Sequence, residues 1–270
     1  MLKHKLLFHI SNQNFEALLN AYDADLMRLD GDWGNQKDPN EFFDSLVKFE
    51  KKFCESQFFH NKNISYSFKK ISKKELLKYC QKHIPLLEKV IAILAWGGMR
   101  QDHFIRLMTG TKFKSLSKVN NNQEDVRFSK KNWHSIEDIL HSLKNSDNFS
   151  RKFHYLSMKN LNLNYCGPAY YTKILYFLFR KKDCFIMDQW TSKSMNILLQ
   201  KKIITLSGNY VSPANDENIY DKFCKFILFM QEKISATGRN ISPDETEDLL
   251  FSRGGRKALY WRNFIKINYS

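Results

Sequence analysis

The sequence predicts a mainly α-helical protein with few or no strands. Glycine and proline are scarce, at 10 and 5 of 270 residues, which favours helices joined by short loops over a turn-rich sandwich or barrel. Helix-capping sequences recur ahead of apolar residues at helical spacing. Alternating patterns typical of short strands occur only near residues 64–70 and 202–206, and no rhythm of strands alternating with helices is found.

The first half of the chain is expected to contain six helices, each predicted from apolar residues at helical spacing. The clearest start is Ser72-Lys73-Lys74-Glu75, a capping box in which the serine and glutamate satisfy each other's free backbone N–H groups. The predicted helices cover residues 14–27, 40–56, 73–84, 86–96, 100–109 and 133–144. Polar residues over 115–131 predict a long loop.

The second half is expected to contain helices over residues 152–161 and 169–180, and a third that begins at Gln189. Ser242-Pro243-Asp244-Glu245 predicts a further start, with a capping serine, a proline at the first helical position and acids at the positive helix end. Ser212-Pro213 predicts one more helix, whose apolar face comprises Ile219, Phe223, Phe226, Ile227, Met230 and Ile234.

The length of the chain suits one large domain or two lobes packed as a unit. We expect residues 1–270 to form a single unit. One lobe is expected over residues 86–200, and the second over residues 1–85 together with 201–270. No internal repeat is evident, so a repeat architecture is not expected.

The charge balance indicates a polyanionic partner. Lysine and arginine outnumber aspartate and glutamate by 43 to 28, which gives a net charge of +15 and a pI near 9.5. Nucleic acid is favoured because each phosphate that is neutralised releases condensed counterions. An anionic membrane surface, or a basic protein without such a partner, are the alternatives.

The cysteines and the apolar segments indicate a cytoplasmic protein. Five widely spaced cysteines, an odd number without a C-x-x-C pair, are typical of a reducing compartment and do not suit a zinc or iron–sulfur quartet. The apolar part of residues 1–11 is too short for a signal peptide. The longest apolar run, 84–96, contains Glu88 and Lys89, so we expect no membrane span.

The segment over residues 161–195 carries the features of a functional site. A tight turn around Gly167-Pro168 separates two predicted helices, and the free N–H groups at such a helix start can bind a phosphate without contacting bases. A basic loop and an apolar run follow. Asp188 then stands immediately before the helix that begins Gln189-Trp190, where its side chain can cap that helix.

The run Leu163-Asn164-Tyr165-Cys166-Gly167 and its following helix resemble the hairpin of the helix-hairpin-helix DNA glycosylases. In that superfamily a catalytic aspartate follows the last hairpin glycine at a characteristic interval and caps the next helix; here Asp188 follows Gly167 by 21 residues (188 minus 167). The similarity is greatest to the 8-oxoguanine DNA glycosylase branch, and especially to bacterial OGG-fold proteins linked to phage defence. It covers about 35 residues well, and the flanks loosely.

The resemblance implies that Asp188 is the catalytic carboxylate, which stabilises a sugar with oxocarbenium character as the base departs. The alternative is that Asp188 only caps a helix. Relatives carry a lysine nucleophile two residues after the hairpin glycine, and Ala169 stands there in this chain, which predicts a monofunctional enzyme. Lys173, one turn further, is expected to line the base pocket, to act as the nucleophile or to be solvated.

Other residues receive roles from the same resemblance. Glu247 is expected to contact the flipped base and Phe251 to stack on it, although a glutamate in place of the amide of relatives makes 8-oxoguanine itself doubtful as the substrate. Trp96 is a pocket wall or plain core, and Arg100 or Gln101 could fill the gap that the base leaves. The residues expected to bind DNA are Tyr165, Gly167, Trp190, Arg100 and Gln101.

The resulting hypothesis is a two-lobed, monomeric helix-hairpin-helix DNA glycosylase that excises a modified base from double-stranded DNA, in base-excision repair or, with a slight preference, in defence against phage. No cofactor or metal is expected, apart from a potassium ion at the hairpin that the resemblance alone allows. A bifunctional enzyme using Lys173, a non-catalytic DNA-binding module and an RNA-binding protein are the alternatives.

Overall fold

The computed structural model describes residues 8–25, 36–53, 58–109, 131–146, 150–161, 166–179, 183–254 and 257–269. Within these ranges it has twelve helices and two short antiparallel hairpins, so the prediction of a mainly α fold is confirmed. The helices are α1 (Asn12–Asp25), α2 (Pro39–Phe53), α3 (Lys73–Gln81), α4 (Leu86–Trp96), α5 (Gln101–Thr109), α6 (Lys131–Asn145), α7 (Arg151–Asn160), α8 (Pro168–Leu178), α9 (Gln189–Leu198), α10 (Glu217–Ser235), α11 (Pro243–Phe251) and α12 (Tyr260–Asn268). The strands are β1 (Leu206–Ser207), β2 (Tyr210–Val211), β3 (Arg253–Gly254) and β4 (Lys257–Ala258), paired as β1–β2 and β3–β4.

Helices α4 and α8 form the centre of the fold. Both are apolar on most sides, and eight of the eleven residues of each are buried, as expected for helices that other helices surround. They pack against each other, with α2 and α3 beside α4 and with α3 and α7 beside α8. The long helix α10 covers α7 and α11.

Helix α9 is enclosed by α1, α11 and α12. Its Ser194 hydroxyl donates to the Leu250 carbonyl at the end of α11 (2.7 Å) and accepts the indole N–H of Trp261 in α12 (2.9 Å). At the other end of α9, the Asn14 amide of α1 donates to the Ile197 carbonyl (2.6 Å). Three helices from the two ends of the chain therefore fix the position of α9.

Of the three helix starts predicted from a serine, two are confirmed and one is wrong. Ser72 and Ser242 cap α3 and α11, each within a complete capping box. The helix predicted from Ser212-Pro213 instead begins at Glu217, where the Asp216 carboxylate accepts the Ile219 N–H (2.8 Å). The side chain of Asn215 binds the backbone of Thr205 in both directions (2.9 Å each), which holds residues 212–215 in a turn.

Helix α12 is not foreseen from the sequence, because its cap is remote. Leu259 at its start has no capping side chain, and the Tyr260 N–H is accepted by Asp25 at the end of α1 (2.6 Å). The strand pattern at 64–70 is wrong, since these residues form no strand. The pattern at 202–206 precedes and overlaps β1, which pairs with β2.

The expected lobes are in close contact with each other. Helix α7 packs against α10, and α2 packs against α4 and α5, across the expected boundary. The division at residues 86 and 200 therefore stays a prediction. Most of the predicted loop over 115–131 lies outside the described residues. None of the described helices combines the length and the apolar character that crossing a bilayer requires.

Candidate active site

Asp188 caps helix α9 with one of its two carboxylate oxygens. Its Oδ1 accepts the N–H groups of Trp190 (2.8 Å) and Thr191 (3.0 Å), and the Thr191 hydroxyl accepts the Asp188 N–H (3.1 Å). Its Oδ2 makes no hydrogen bond to any residue that the structure describes. Asp188 is 8% exposed. The carboxylate is thus fixed in orientation while one oxygen is left available.

The backbone that leads into Asp188 is extended, buried and held by side chains. Residues 184–188 belong to no helix or strand, so their N–H and C=O groups need other partners. The Ile186 N–H is accepted by Glu247 of α11, and its carbonyl accepts the Thr191 hydroxyl of α9 (3.0 Å). Both sides of this residue are therefore tied to helices.

Two further side chains support the same segment. The Met187 N–H is accepted by the Thr172 hydroxyl of α8 (3.1 Å), which itself donates to the Pro168 carbonyl (2.6 Å). The Tyr220 hydroxyl of α10 donates to the Phe185 carbonyl (3.0 Å). Four helices thus position Asp188, and the Thr172 hydroxyl links it to the start of α8. Sequence reasoning missed these supporting residues because their partners are backbone groups.

The bend at Gly167-Pro168 begins helix α8. Gly167 is the N-cap, in an extended conformation, and Pro168 occupies the first turn. Apart from its chain neighbours, no atom of the described residues lies within 4 Å of the place where a Cβ of Gly167 would be, so this part of the structure leaves the space beside the backbone open. An open helix start of this kind suits an anion. Tyr165, which is expected to bind DNA with Gly167, lies outside the described residues.

Lys173 is buried, at 5% exposure, which rules out the solvated interpretation. Its side chain points back along α8, so that Nζ donates to the Ala169 carbonyl (3.1 Å) and lies 5.2 Å from the centroid of the Tyr170 ring. Its alkyl part passes the end of α4, where a Cβ on Gly97 would lie 2.9 Å from the Lys173 Cδ. The amine therefore lies beside the residue that replaces the expected nucleophile.

The environment of Lys173 favours its neutral form. Burial lowers the pKa of the Lys173 amine, and the charges of Asp188 and Glu247 only partly oppose this effect. The Asp188 carboxylate is thus close enough to the amine for its charge to affect the pKa of Lys173. A buried amine with a lowered pKa is more often unprotonated, and an unprotonated amine can act as a nucleophile.

Glu247 is fully buried and binds inside the protein through both carboxylate oxygens. One oxygen accepts the Ile186 N–H, and the other pairs with the Lys73 ammonium of α3. Lys73 also contacts Asp248 (2.8 Å) and lies 4.7 Å from the centroid of the Tyr176 ring. Burial raises the pKa of Glu247 to about 7, against the effect of the Lys73 charge. The residue expected to contact a base edge thus also anchors the segment before Asp188.

Phe251 and Trp190 both lie against the side chain of one arginine. The Arg262 guanidinium is 4.4 Å from the centroid of each ring, and it donates to the Phe251 carbonyl from two nitrogens (3.1 and 2.6 Å). Arg262 is buried, and these contacts lie inside the protein. The structure brings Phe251 and Trp190 together through this cation.

The segment between α4 and α5 carries the other expected residues. Trp96 is buried against Phe177, with ring centroids 4.9 Å apart in an edge-to-face arrangement, as a core residue would be. Arg100 is exposed and pairs with Asp102 through two nitrogens (3.0 and 3.2 Å), and Gln101 is exposed at the start of α5. Arg100 and Gln101 are thus accessible, whereas Trp96 is not.

No group of three or more histidine, cysteine, aspartate or glutamate side chains with the geometry of a metal site occurs among the described residues. The candidate active site therefore consists of the Asp188 carboxylate, the Lys173 amine beside Ala169, and the open backbone at Gly167. These groups are held by α8, α9 and the extended segment between them. They offer a fixed anion, a buried amine and an anion-binding helix start.

The comparisons with known proteins identify one family. The model of the OGG family, described as "Putative 8-oxoguanine DNA glycosylase OGG-like protein", matches residues 69–251, which is more than half of the chain. The matched range includes the Gly167 bend, Lys173 and Asp188. Searches of the curated proteins and of the solved structures gave no match.

Proposed function

Because the chain belongs to the OGG-like family of 8-oxoguanine DNA glycosylase-type proteins, we propose that it excises a modified base from duplex DNA with Asp188 as the catalytic carboxylate. The observation that carries this proposal is that the two carboxylate oxygens of Asp188 differ in their hydrogen bonding. Oδ1 is committed to the cap of α9, while Oδ2 has no hydrogen bond within the described part of the chain. A pre-oriented anion of this kind can stabilise a developing positive charge.

The chemistry is hydrolysis of the N-glycosidic bond. The bond between C1′ and the base nitrogen breaks, its electron pair leaves with the base, and the sugar gains oxocarbenium character. The Asp188 carboxylate stabilises this charge and can accept a proton from the water whose oxygen bonds to C1′. The base takes up a proton in turn, and the products are a free base and an abasic site.

The base must leave the duplex before this bond becomes accessible. We propose that it enters a pocket beside Ala169 and Lys173, and that the Gly167 backbone with Tyr165 anchors the neighbouring phosphate. Arg100 and Gln101, which are exposed at the start of α5, occupy the gap left in the duplex. Trp190 flanks the entrance from the first turn of α9. A division into two lobes, with the base pocket between them, belongs to the same proposal.

The contacts of Glu247 and Phe251 support a different assignment from the one made on the sequence. Both Glu247 oxygens already have partners inside the protein, so we assign this residue to positioning the backbone before Asp188 rather than to the base edge. Phe251 holds Arg262 against Trp190, and its role in stacking on the base then depends on the ring face that Arg262 does not cover.

Position 169 favours a monofunctional enzyme, because a methyl group cannot form a Schiff base with the sugar. Such an enzyme leaves the DNA strand intact until alkali is added. Its biological setting is either base-excision repair or the excision of modified bases from phage DNA. Of these, we favour phage defence, because Ala169 and Glu247 depart from the pattern of repair enzymes.

The test is to incubate the purified full-length protein with duplexes that contain oxidised purines and with phage DNA rich in modified cytosines. Released bases are identified by mass spectrometry, and abasic sites are counted as alkali-labile breaks. Release from one class identifies the substrate. The proposal is refuted if no substrate in the panel loses a base. Tighter binding to RNA than to a duplex with an abasic analogue supports the RNA-binding alternative.

A second candidate function is favoured by the position of Lys173. Its Nζ lies 3.1 Å from the Ala169 carbonyl, and burial lowers its pKa. In this alternative the neutral amine attacks C1′, displaces the base and forms a Schiff base, after which the strand is cleaved. Borohydride trapping decides between the candidates. A covalent DNA adduct that is lost in Lys173→Met establishes the bifunctional enzyme, and strand-intact products without an adduct establish the monofunctional one.

A further inference from the structure

A polar groove of about 770 Å³ lies along helix α9, the helix that Asp188 caps. Residues of α1, α9, α12 and the segment that follows α9 line it. Its walls include Lys193, Lys201 and Lys202, and none of the described residues that line it is acidic. A positive groove without an acid is suited to an anionic ligand rather than to a metal ion or a basic peptide.

The groove continues from the helix that Asp188 caps. Trp190, Lys193 and Ile197 recur at spacings of three and four residues and therefore share one face of α9, and Gln200 follows just beyond the end of this helix. Ten helical residues span about 15 Å at a rise of about 1.5 Å per residue. The groove begins at Lys193 and continues past the end of α9 to Lys201 and Lys202, so its three lysines can contact more than one phosphate of the same strand.

Lys193 is oriented in advance by two aromatic rings. Its Nζ lies 5.1 Å from the centroid of the Trp190 ring and 5.3 Å from that of the Tyr269 ring. Such contacts hold an ammonium in place while leaving its charge unneutralised. Lys193 is therefore a fixed cation at the end of the groove nearest to Asp188.

The floor of the groove is rigid. The buried Asn196 side chain donates to the Ile204 carbonyl (2.8 Å) and accepts the N–H groups of Ile203 and Ile204 (2.9 Å each). The Lys201 N–H donates to the Asn196 carbonyl (3.0 Å). These bonds fix the loop that carries Lys201 and Lys202. Both lysines are exposed, and neither forms an ion pair with a residue that the structure describes.

An exposed tyrosine stands beside the groove. The hairpin β1–β2 turns at Gly208, whose φ of +58° suits the first position of a tight hairpin turn. Tyr210 follows in β2 and is 79% exposed. Strand β2 packs against both α8 and α9, so Tyr210 lies near these two helices.

We propose that the groove along α9 binds the sugar–phosphate backbone of the duplex that flanks the excised nucleotide, and that Tyr210 packs against an exposed sugar or base at its entrance. This inference rests on the proposed function and adds a second contact surface to the Gly167 bend. Lysines at fixed spacing contact phosphates without regard to sequence. The groove thus holds the flank while Gly167 anchors the target nucleotide.

The experiment measures binding of the full-length protein to a duplex with a tetrahydrofuran abasic analogue over a range of salt concentrations. The test variant is Lys201→Ala/Lys202→Ala. Lys48→Ala/Lys51→Ala is the matched control, because it removes two exposed lysines from α2, which lies away from the groove. Loss of two phosphate contacts is expected to reduce the slope of log K against log salt by about 1.8 and to weaken binding roughly tenfold, whereas the control binds like the wild type.

Tyr210 is tested in the same assay. Tyr210→Ala is expected to weaken binding by about fivefold or more, and Tyr210→Phe, which keeps the ring, is expected to bind almost like the wild type. Thermal melting of every variant checks that the fold is retained, and the exposure of these side chains makes a loss of folding unexpected.

The inference is overturned if the groove and control double variants bind the abasic duplex equally, or if only RNA binding changes. In either case a wild type that still binds and excises leaves the proposed function standing. A wild type that binds no duplex and releases no base refutes the proposed function itself. The two failures are thus distinguishable by the behaviour of the unmodified protein.

Discussion

Replacement of Asp188 by asparagine separates the two roles of this side chain. Asparagine keeps an Oδ1 that can accept the N–H groups of Trp190 and Thr191, and asparagine and aspartate are nearly equal as helix caps. The amide nitrogen takes the place of Oδ2, which makes no hydrogen bond within the described residues. The variant therefore changes the charge and almost nothing else.

The structure sets different magnitudes for stability and for activity. Asp188→Asn is expected to change the free energy of unfolding by less than about 0.5 kcal/mol, because the cap persists. Asp188→Ala loses both accepted bonds and is expected to cost about 1–2 kcal/mol, or roughly 2–8 °C in melting temperature. Both variants lack the anion, and both are expected to slow base release by a factor of about 10²–10³ or more.

The assay is single-turnover base release with enzyme in excess, because it reports the chemical step without product release. Binding to the abasic analogue and thermal melting are measured on the same preparations. Asparagine at 188 is expected to leave binding within about threefold of the wild type, since phosphate contacts supply most of the affinity.

The reasoning fails if Asp188→Asn releases base at the wild-type rate, because the residue is then only a cap. It also fails if Asp188→Asn destabilises the protein as much as Asp188→Ala does. That result would show that Oδ2 has a structural partner, and any loss of activity could no longer be assigned to the missing charge.

Three further substitutions test the surroundings of Asp188. Thr172→Val leaves the buried Met187 N–H without its acceptor, and we expect a loss of about 1–3 kcal/mol in urea unfolding, with slower base release at unchanged DNA binding. Burial raises the pKa of Glu247 from its ordinary 4.5 to about 7, so the folded state holds a proton that the unfolded chain releases. The free energy of unfolding is therefore expected to fall as pH rises from about 4.5 to 7, and an unchanged slope in Glu247→Gln contradicts this assignment. Gly97→Ala places a methyl group 2.9 Å from the Lys173 Cδ and is expected to lower the free energy of unfolding by about 1–3 kcal/mol. The loss is expected to be smaller when Lys173 is also replaced by alanine, and an equal loss in that background contradicts the importance of this contact.

Local signals in the sequence predict the fold wherever the structure satisfies them locally. The capping boxes at Ser72 and Ser242 are complete within four residues, and both helices begin where the sequence predicts. The start at Ser212-Pro213 fails because Asn215 bonds to Thr205, seven residues before Ser212. The start of α12 is capped by Asp25 from the other end of the chain, and no local pattern carries that information.

In the candidate site, too, locally determined features could be predicted from the sequence and long-range contacts could not. Asp188 could be placed from its position before Gln189, because capping depends on the next three residues. The surroundings of Glu247 and Phe251 could not, since Lys73 and Arg262 reach them from distant helices. The burial of Lys173 could have been predicted from the apolar sequence of its helix. A single lysine in a helix that is apolar on most sides is expected to be enclosed by its neighbours.

The packing of other helices around α9 determines which fragments of the chain can keep Asp188 in position. The family match covers residues 69–251, yet the Asn14 and Trp261 side chains that hold α9 lie before and after that range. A fragment trimmed to the matched boundaries would retain Asp188 and lose α1 and α12, two of the four helices that pack against its helix. The position of Asp188 thus depends on flanking helices that lie outside the family match, so changes in those flanks can move this side chain without altering any residue of the matched range.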